Sequence, residues 1–524
     1  MTAVAARAQK LALLTTTPWD LVVVGGGISG AGVACLAARQ GWKVLLIEQR
    51  DFAWGASSRS SKLVHGGLRY LKEGDLKTTF HSVRERERLM REAPGLIEPQ
   101  SFLFADCQGR PPGRWLFQLG LALYDRMAGQ RSRGWVKPAD VTWLAPGLAP
   151  AHMQGAVVYQ DAKTDDARLV WRVLSEAQAA GAVCLNYLAA ESVLMHQGQV
   201  TGLELRDMVS GNNLKVTTRS MVNATGAWSD KLRGQVGGKP ILRPLRGSHL
   251  LVPWWRLPVA QSISLMHPRD GRPVFFYPWE GTTLIGTTDL DHHTSLDGEA
   301  SITPEEVDYL LQAVNEQFPA VKLGIDDIMS CYAGVRPVVD DGNGDASKTP
   351  REHVVLDEHG MVTLTGGKLT TFRLMAQDAL ALAARHSGQA FVRRDDPVFS
   401  PTAPLDPRWP AAIRHRLGAR YGRLAQFLAG DVPPAELESI AGTATLWIEL
   451  TIAARHEAVV HLDDLLLRRT RLGLLLPSGA MDLMPDIQRA CAPLLDWSAQ
   501  RWEEEIDRYR QLIAAHYQLP PCPV

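Results

Sequence analysis

The fold is decided by residues 19–48, which read WDLVVVGGGISGAGVACLAARQGWKVLLIE. The apolar run at residues 19–24 predicts a short strand, and GGGISG at residues 25–30 predicts a glycine turn that begins a helix. A second apolar run at residues 44–47 predicts the next strand, and it ends in Glu48. Strand, glycine turn, helix and second strand in this order are typical of a unit that binds a dinucleotide.

Three glycines of this turn have separate roles. Gly25 permits the tight turn, Gly27 lets the backbone approach a pyrophosphate, and Gly30 lets the helix pack close to the strand. The helix N-terminus then faces the phosphates. Glu48 stands where the acidic residue that holds a ribose hydroxyl is expected.

The segment after the second strand favours FAD over NAD. Residues 55–70 read GASSRSSKLVHGGLRY, whereas a nicotinamide dehydrogenase would normally continue with further strands and helices. The hydroxyls and amides of such a loop can hydrogen-bond a pyrophosphate and the edge of a ring, and Arg69 can pair with an anion.

Two later glycine turns complete the predicted cofactor site. MVNATGAW at residues 221–228 ends a strand in Ala-Thr-Gly, which brings backbone close to a cofactor without a bulky side chain. LTGGKLTTF at residues 364–372 predicts a strand, a turn and a helix that runs to about residue 386. That helix N-terminus would stabilise the anion formed at the flavin N1 and O2 edge on reduction. Three such turns in this order indicate one FAD.

Several separated segments of the chain resemble the FAD-dependent glycerol-3-phosphate dehydrogenases. They are SSKLVHGGLRY at 60–70, RGSH at 246–249, IGTTD at 285–289, GVRP at 334–337 and GGKLTT at 366–371. With the first glycine turn they span residues 19–372. The resemblance implies an α/β fold: a Rossmann-like FAD-binding domain of the glutathione-reductase/D-amino-acid-oxidase type, interleaved with a β-sheet substrate domain and followed by a C-terminal helical domain.

The motifs and the resemblance together indicate the site residues. The expected cofactor-binding residues are Gly25, Gly27, Gly30, Glu48, Ser60, Ser61, Lys62, His65, Gly66, Gly67, Thr225, Gly226, Gly367, Lys368, Leu369 and Thr370. A small dianion such as glycerol 3-phosphate requires several fixed cations. The resemblance implies a substrate pocket of Arg69, Tyr70, His249, Arg336, Arg351 and Lys368. Among these we expect His249, Arg336 and Lys368 to take part in catalysis.

The catalytic base stays open at this point. Oxidation at C2 moves a hydride to flavin N5 while a base takes the hydroxyl proton. His249 and His65 are the histidines nearest the motifs, and His249 is slightly favoured. Each of them, taken alone, is more often a structural or orienting histidine. Arginine or lysine near the hydroxyl would lower its pKa and reduce the need for a dedicated base.

The resemblance implies oxidation of sn-glycerol 3-phosphate to dihydroxyacetone phosphate by a homodimer that passes electrons to membrane quinone. A glycerol-phosphate or amino-acid oxidase that uses O2 is the nearest alternative. An amine substrate would need one cation and an apolar cage, not four cations. A flavin-binding, RNA-associated protein is the alternative from another class, but Lys plus Arg and Asp plus Glu are both 56, so the basic excess of a nucleic-acid binder is missing.

Composition and cysteine usage predict a cytoplasmic protein. Six scattered cysteines form no C-x-x-C pair, which favours reduced thiols. The first residues lack the apolar region of a secretory signal, and no apolar run reaches about 18 residues. His292 and His293 are interpreted as part of a surface turn, and the acidic residues at 340–345 lack the ligand order of an EF-hand, so no metal site is predicted.

The chain divides into four predicted parts. Residues 1–18 form an N-terminal extension, and residues 19–390 hold the interleaved domains, with the substrate part mainly at about 100–160 and 240–350. The proline-rich residues 391–410 are the candidate linker, and residues 411–524 show helical spacing. Within the last part, the arginines of RRTR at 468–471 are interpreted as a solvated face or as partners of a helix dipole.

An apolar segment with basic flanks predicts peripheral attachment to the inner face of the cytoplasmic membrane. RWLFQLGLALY at residues 114–124 lies between Arg110 and the arginines at 126, 131 and 133. It is too short to span a bilayer but suits a helix in an anionic interface, close to a quinone. A buried amphipathic core helix is the competing interpretation.

Overall fold

The architecture comes from a computed structural model of the chain. It describes residues 3–68, 74–109, 113–340, 353–428 and 432–520. Three residues that the sequence assigns to the substrate pocket, Arg69, Tyr70 and Arg351, lie outside the described residues, and so does Arg110 of the basic flank.

A parallel sheet forms around the first strand. In the described residues it has six strands, in the spatial order β17 (His353–Glu358), β18 (Met361–Gly366), β10 (Met221–Asn223), β1 (Leu21–Val24), β2 (Val44–Ile47) and β6 (Val183–Leu185). Only β17 of these runs antiparallel to its neighbour. Every residue of β1 and β2 is buried, as expected for a parallel sheet covered on both faces.

The two faces of this sheet are covered differently. Leu21 and Val23 point into a core with helices α2 (Ile28–Ala38), α6 (Asp166–Ala179) and α9 (Phe372–Ser387). Val22 and Val24 point into a second core on the opposite face. That face is covered by α7 (Ser229–Gln235) and by a three-stranded antiparallel sheet, counted in the described residues, of β7 (Leu188–His196), β8 (Gln199–Asp207) and β9 (Asn213–Thr217).

A large mixed sheet forms the second layer. Its nine strands in the described chain are β15 (Leu290–Asp291), β11 (Leu242–Pro253), β14 (Thr282–Gly286), β13 (Pro273–Trp279), β12 (Ser262–Met266), β3 (Ile97–Cys107), β5 (Met153–Thr164) and β4 (Gly134–Val136) in order, with β16 (Ser330–Val339) also paired to β11. The accompanying helices are α3 (Leu76–Glu92), α4 (Arg114–Ala128), α5 (Pro138–Leu144) and α8 (Pro304–Gln317). The chain therefore leaves the parallel sheet twice to build this layer.

The C-terminal part is helical. Its helices are α10 (Ala411–Tyr421), α11 (Trp447–His456), α12 (Leu472–Leu475), α13 (Met484–Leu495) and α14 (Ala499–His516). Helices α11 to α14 share a hydrophobic core with the large sheet, in which Leu465 and Leu466 join Leu251 and Tyr332. Residues 388–410 form no helix or strand.

The predicted fold class is confirmed: an α/β FAD-binding fold of this type carries a helical C-terminal domain. The N-terminal extension contains α1 (Ala3–Ala12). Across the described ranges, no helix combines the length and the apolar composition needed to cross a membrane.

Candidate active site

A cavity of about 1490 Å³ opens between the parallel sheet and the large sheet. Its walls include the carboxyl ends of β1 and β18, the segment 54–68 and part of β16. Ligands of open parallel sheets bind at the carboxyl ends of the strands. Ordinary small-molecule sites enclose roughly 300–1000 Å³, so this cavity has room for a dinucleotide and a small substrate together.

The first glycine turn forms a cradle at one end of the cavity. Gly25 has a φ of +113°, and a Cβ there would lie 2.4 Å from the Ala224 carbonyl oxygen. A Cβ at Gly30 would lie 1.9 Å from the Gly25 carbonyl oxygen, so α2 can approach β1 only with glycine at this position. Gly25 and Gly27 line the cavity, whereas Gly30 supports the turn from behind.

Glu48 lies at the cavity edge, at the end of β2. Its carboxylate accepts hydrogen bonds from the backbone N–H of Gly26 at 2.7 Å and of Arg50 at 2.9 Å. Burial raises the pKa of Glu48 above its usual value, although both bonds favour the ionised form. A carboxylate has about four lone-pair positions, so two remain for ribose hydroxyls. The donor set therefore fits the adenosine half of FAD.

The segment after β2 forms a side wall whose residues do not all face the cavity. Ser60, Ser61, His65 and Gly67 line it. Lys62 is completely buried behind the wall, where its Nζ lies 3.0 Å from Asp166 Oδ1. Gly66 also lies behind the wall and donates its N–H to Asp161 at 3.0 Å. Any contribution of these two residues to cofactor binding is therefore indirect.

The second and third glycine turns meet at the opposite side of the cavity. The lining residues of these turns are Thr225, Gly226, Gly367, Lys368, Leu369 and Thr370. The Thr370 hydroxyl donates to the His65 carbonyl oxygen at 3.1 Å, which ties this side to the segment after β2. Helix α9 begins at Phe372, so its N-terminus is aimed at the cavity as the motif predicts.

Arg336 is a cation held in place at the cavity wall. Its Nη1 lies 2.8 Å from Asp289 Oδ1, and its Nη2 donates to Thr287 Oγ1 at 2.9 Å. The guanidinium crosses directly over Gly247, where a Cβ would lie 2.2 Å from Nη2. A quarter of the Arg336 side chain remains exposed. This geometry fixes the planar group while leaving part of it accessible to an anion.

Lys368 adds a second cation on the other side of the cavity. Its Nζ donates to Ser82 Oγ of α3 at 3.1 Å. Arg336 and Lys368 thus come from different sheets and line the same cavity.

His249 lies next to the cavity but does not line it. The ring is fully buried and stacks on Tyr332 with centroids 4.7 Å apart and planes at 14°. Its Nε2 lies 2.9 Å from the Oγ of Ser61, which does line the cavity. Burial, followed by the charges of Arg336 and Lys62, holds the pKa of His249 well below its usual value. The ring is therefore neutral at physiological pH.

Comparisons with known proteins now identify the family. A family model described as FAD dependent oxidoreductase matches residues 20–373, and the model for the C-terminal domain of alpha-glycerophosphate oxidase matches residues 362–502. The aerobic glycerol-3-phosphate dehydrogenase of Staphylococcus aureus (strain bovine RF122 / ET3-1) is 30% identical over 532 residues, which cover 95% of each chain. The chain belongs to the FAD-dependent glycerol-3-phosphate dehydrogenase family.

Solved structures agree with this assignment. The glycerol-3-phosphate dehydrogenase from Bacillus halodurans complexed with FAD covers 100% of this chain and 99% of its own, with a TM-score of 0.73 and 25% identity. The L-alpha-glycerophosphate oxidase from Mycoplasma pneumoniae with FAD bound covers 73% of this chain and 97% of its own, with a TM-score of 0.58 and 16% identity. The second likeness concerns the fold alone.

Several residues of this cavity are not predicted by the sequence motifs. Asp289 and Thr287 hold Arg336, yet in the sequence they stand out only as part of the IGTTD motif. Arg272, from the turn between β12 and β13, lines the cavity and donates to the Asp289 carbonyl oxygen. The carboxylate at the end of the IGTTD motif was the available signal for Asp289, whereas no motif marks Arg272.

Helix α4 has one face buried in the core and another face with exposed apolar side chains, so it has features of both alternatives that the sequence left open. Leu121 and Tyr124 are buried, and Phe117 packs against Phe104 with centroids 4.9 Å apart. The opposite face carries exposed apolar side chains: Trp115, Leu116, Leu119 and Leu123. Part of this face, with Phe102 and Phe275, forms an apolar lobe of the cavity.

The arginines at 468–471 do not form the solvated face that the sequence suggested. Arg468, Arg469 and Arg471 are fully buried, and we call them the 468–471 arginine cluster. They pair with Asp51, Asp165, Asp166, Asp463 and Asp464. Three of these carboxylates follow β2 or lie at the start of α6, so the C-terminal helices are joined to the FAD-binding part by buried charges.

The N-terminal extension is also part of the packed structure. Arg7 Nη2 lies 2.5 Å from Asp207 Oδ1, and Lys10 Nζ donates to the Cys184 carbonyl oxygen at 3.3 Å. Leu14 is buried in the core beside the small sheet. The two cations of the extension therefore bind the protein itself.

Proposed function

We propose that the protein oxidises sn-glycerol 3-phosphate to dihydroxyacetone phosphate and delivers the electrons to a membrane quinone. Bound FAD would supply the hydride acceptor for C2 of the substrate. The observation that carries the proposal is Arg336, held by Asp289 and Thr287 with its accessible edge in the cavity that also contains the three glycine turns.

The substrate phosphate is assigned to the cationic part of the cavity. Arg336 offers a planar, preorganised pair of N–H donors, and Lys368 adds a compact charge. The resemblance to the family also assigns Arg69, Tyr70 and Arg351, which lie outside the described residues, to the substrate pocket. The cations would also lower the pKa of the substrate hydroxyl, which assists its deprotonation.

The proton of that hydroxyl needs an acceptor inside the cavity. His65 lines the cavity, and its carbonyl oxygen is fixed by Thr370. His249 reaches the cavity only through Ser61. We therefore assign the general base to His65 and an indirect part in catalysis to His249.

The cofactor assignment can be tested on the purified protein. Glu48→Ala removes the acceptor expected to bind the ribose hydroxyls, and hydrogen bonds to charged groups contribute about 1.5–3 kcal/mol. FAD affinity should fall by about 10- to 150-fold, measured by fluorescence during titration of apoprotein. Asp357→Ala serves as a control, because this carboxylate pairs with His386 and lies away from the cavity. Equal affinity of Glu48→Ala and wild type would mean that the ribose lies elsewhere.

The apolar lobe supports quinone as the acceptor. A quinone has an apolar ring and tail, and the exposed face of α4 borders the lobe and reaches the outside of the protein. We propose that this face lies in the surface of an anionic membrane. Two of its basic neighbours are already occupied, because Arg133 pairs with Asp125 at 2.7 Å and Arg114 stacks on Trp135. Arg126 lies at the cavity edge and Arg131 is exposed.

Oxygen is the second candidate acceptor, favoured by the family model named for an oxidase over residues 362–502. The two acceptors are separated by reducing the enzyme anaerobically with glycerol 3-phosphate and then adding either a short-chain quinone or air-saturated buffer. We expect fast reoxidation by the quinone and slow reoxidation by oxygen. Fast formation of hydrogen peroxide would make the protein an oxidase. Light scattering of the same sample tests the proposed homodimer.

A further inference from the structure

We propose that Ser61 donates a hydrogen bond from its hydroxyl into the cavity and that His249 is the positioning residue that turns the hydroxyl there. This inference rests on the proposed function, because the acceptor is an oxygen or nitrogen of the flavin edge or of the substrate. It gives His249 a part in the reaction without making it the base.

The His249 ring is held in a narrow slot. Tyr332 of β16 stacks on one face of the ring at 4.7 Å. Gly286 of β14 presses against the ring from the neighbouring strand, because a Cβ at that position would lie 2.1 Å from His249 Cδ2. The Ser61 Oγ lies 2.9 Å from Nε2. The ring therefore meets the cavity wall through a single atom pair.

The surroundings of the ring decide its tautomer. Within the described chain, His249 Nδ1 has no hydrogen-bond partner. The nearby charges that act on the ring are the cations Arg336 and Lys62, and with burial they keep the pKa of His249 low and the ring neutral. A proton on Nδ1 would be a buried N–H without an acceptor, which is rare and costly. A proton on Nε2 finds Ser61 Oγ, so the Nε2–H tautomer is favoured.

This tautomer fixes the direction of the Ser61 hydroxyl. Since Nε2–H donates to Oγ, the hydroxyl must use its own hydrogen toward another acceptor. The backbone around it cannot turn away, because Tyr332 donates to the Ser60 carbonyl oxygen at 2.8 Å and Tyr277 donates to that of Ser61. Asp166 accepts from both the N–H and the hydroxyl of Ser60. The open side of the Ser61 Oγ is the cavity.

The same features argue against His249 as the base. A general base works best when its pKa lies near the operating pH and when it can reach the proton. His249 is buried, neutral and separated from the cavity by Ser61.

A double-mutant cycle tests the proposal on the FAD-loaded enzyme. Ser61→Ala and His249→Asn should each lower kcat/KM by about 2- to 13-fold, the size expected for a neutral hydrogen bond. The double variant should be no worse than either single variant, because His249 acts only through Ser61. Ser262→Ala, a buried serine of β12 that does not line the cavity, is the control and should retain wild-type kcat/KM. A loss of about 10²- to 10⁴-fold in His249→Asn that persists in the Ser61→Ala background would overturn the proposal.

NMR of the wild-type enzyme reports the tautomer directly and does not require that the His249→Asn variant folds. In wild-type enzyme labelled with ¹⁵N-histidine, the signal that shifts in Ser61→Ala is assigned to His249. We expect the chemical shifts of a neutral ring protonated on Nε2. A ring protonated on Nδ1, or on both nitrogens at neutral pH, would contradict the proposal.

Two further measurements identify the acceptor. If Ser61→Ala shifts the absorption spectrum of bound FAD without any other ligand, the hydroxyl donates to the flavin. If the spectrum is unchanged but inhibition by dihydroxyacetone phosphate weakens, it donates to the substrate. If neither the spectrum nor the inhibition changes, Ser61 does not donate into the cavity and the proposal is overturned. If wild-type flavin is not reduced by glycerol 3-phosphate, the proposed function fails, whereas the tautomer and the spectrum still test Ser61 and His249.

Discussion

Arg336 in the cavity and the arginines of the 468–471 cluster carry the same guanidinium group, but they differ in how much of that group is exposed. Arg336 faces Asp289, the hydroxyl of Thr287 and the open cavity, and a quarter of its side chain is exposed. Arg468 is 1% exposed and faces Asp51, Asp463 and Asp464. An arginine can bind a substrate anion only where part of its side chain remains accessible to that anion.

The 468–471 arginine cluster requires that several charges be buried, and removing one of them is expected to destabilise the fold. Burial raises the pKa of Asp51, but the charges of Arg469 and Arg468 outweigh burial and hold that pKa below its usual value. Removing one partner of a buried ion pair leaves an uncompensated buried charge. The cluster joins the C-terminal helices to the FAD-binding part, whereas the cavity cations are proposed to bind the substrate, so substitutions in the two regions should affect different measurements.

Arg469→Ala is expected to have the largest effect, and the effect is on stability. It leaves Asp51 without the guanidinium that binds both of its oxygens at 2.6 and 2.8 Å. The free energy of unfolding should fall by about 3–5 kcal/mol, measured by urea denaturation. Arg489→Ala is the matched control: its pair with Asp486 is on the surface, so the expected loss is about 0–1 kcal/mol. Equal small losses would show that the cluster does not stabilise the fold.

Arg336→Ala should have the next largest effect, and here stability and flavin content should stay close to wild type. Loss of a charge-assisted bond to phosphate costs about 1.5–3 kcal/mol, or about 10- to 150-fold in kcat/KM for glycerol 3-phosphate. Glycerol, which lacks the phosphate, should be a poor substrate that is little affected. Arg243→Ala is the control, since Arg243 pairs with Asp291 and does not line the cavity. An equal loss for both substrates would show that Arg336 does not bind the phosphate.

Replacing Trp115, Leu116, Leu119 and Leu123 by Gln should have the smallest effect on the enzyme itself. These side chains are exposed, and surface substitutions usually change stability by about 0.5 kcal/mol or less each. Binding to anionic vesicles and quinone reduction should fall, while turnover with a soluble dye should persist. A double replacement by Gln of Met208 and Val209, two exposed residues in the turn between β8 and β9, should change neither vesicle binding nor quinone reduction. Undiminished sedimentation with vesicles would place the membrane contact elsewhere.

The sequence predicted what depends on local structure. Gly25, Gly27 and Glu48 form a continuous strand, turn and helix unit, so their relative positions follow from spacing alone. The burial of Lys62 and the 468–471 arginine cluster depends on carboxylates from distant segments, Asp166 and Asp51, and spacing carries no signal for that. The same holds for Arg272, which follows β12 in the chain and reaches the cavity only because β13 pairs with β14.

Oxidation of glycerol 3-phosphate, with recognition of its phosphate, is the activity proposed for this family member. Its most direct test is anaerobic addition of glycerol 3-phosphate, and separately of glycerol, to the purified FAD-loaded protein, with the flavin absorbance followed by stopped flow. We predict rapid bleaching by glycerol 3-phosphate, and little bleaching by glycerol at the same concentration. No bleaching by glycerol 3-phosphate would exclude the proposed oxidation, and equal rates with both compounds would exclude recognition of the phosphate.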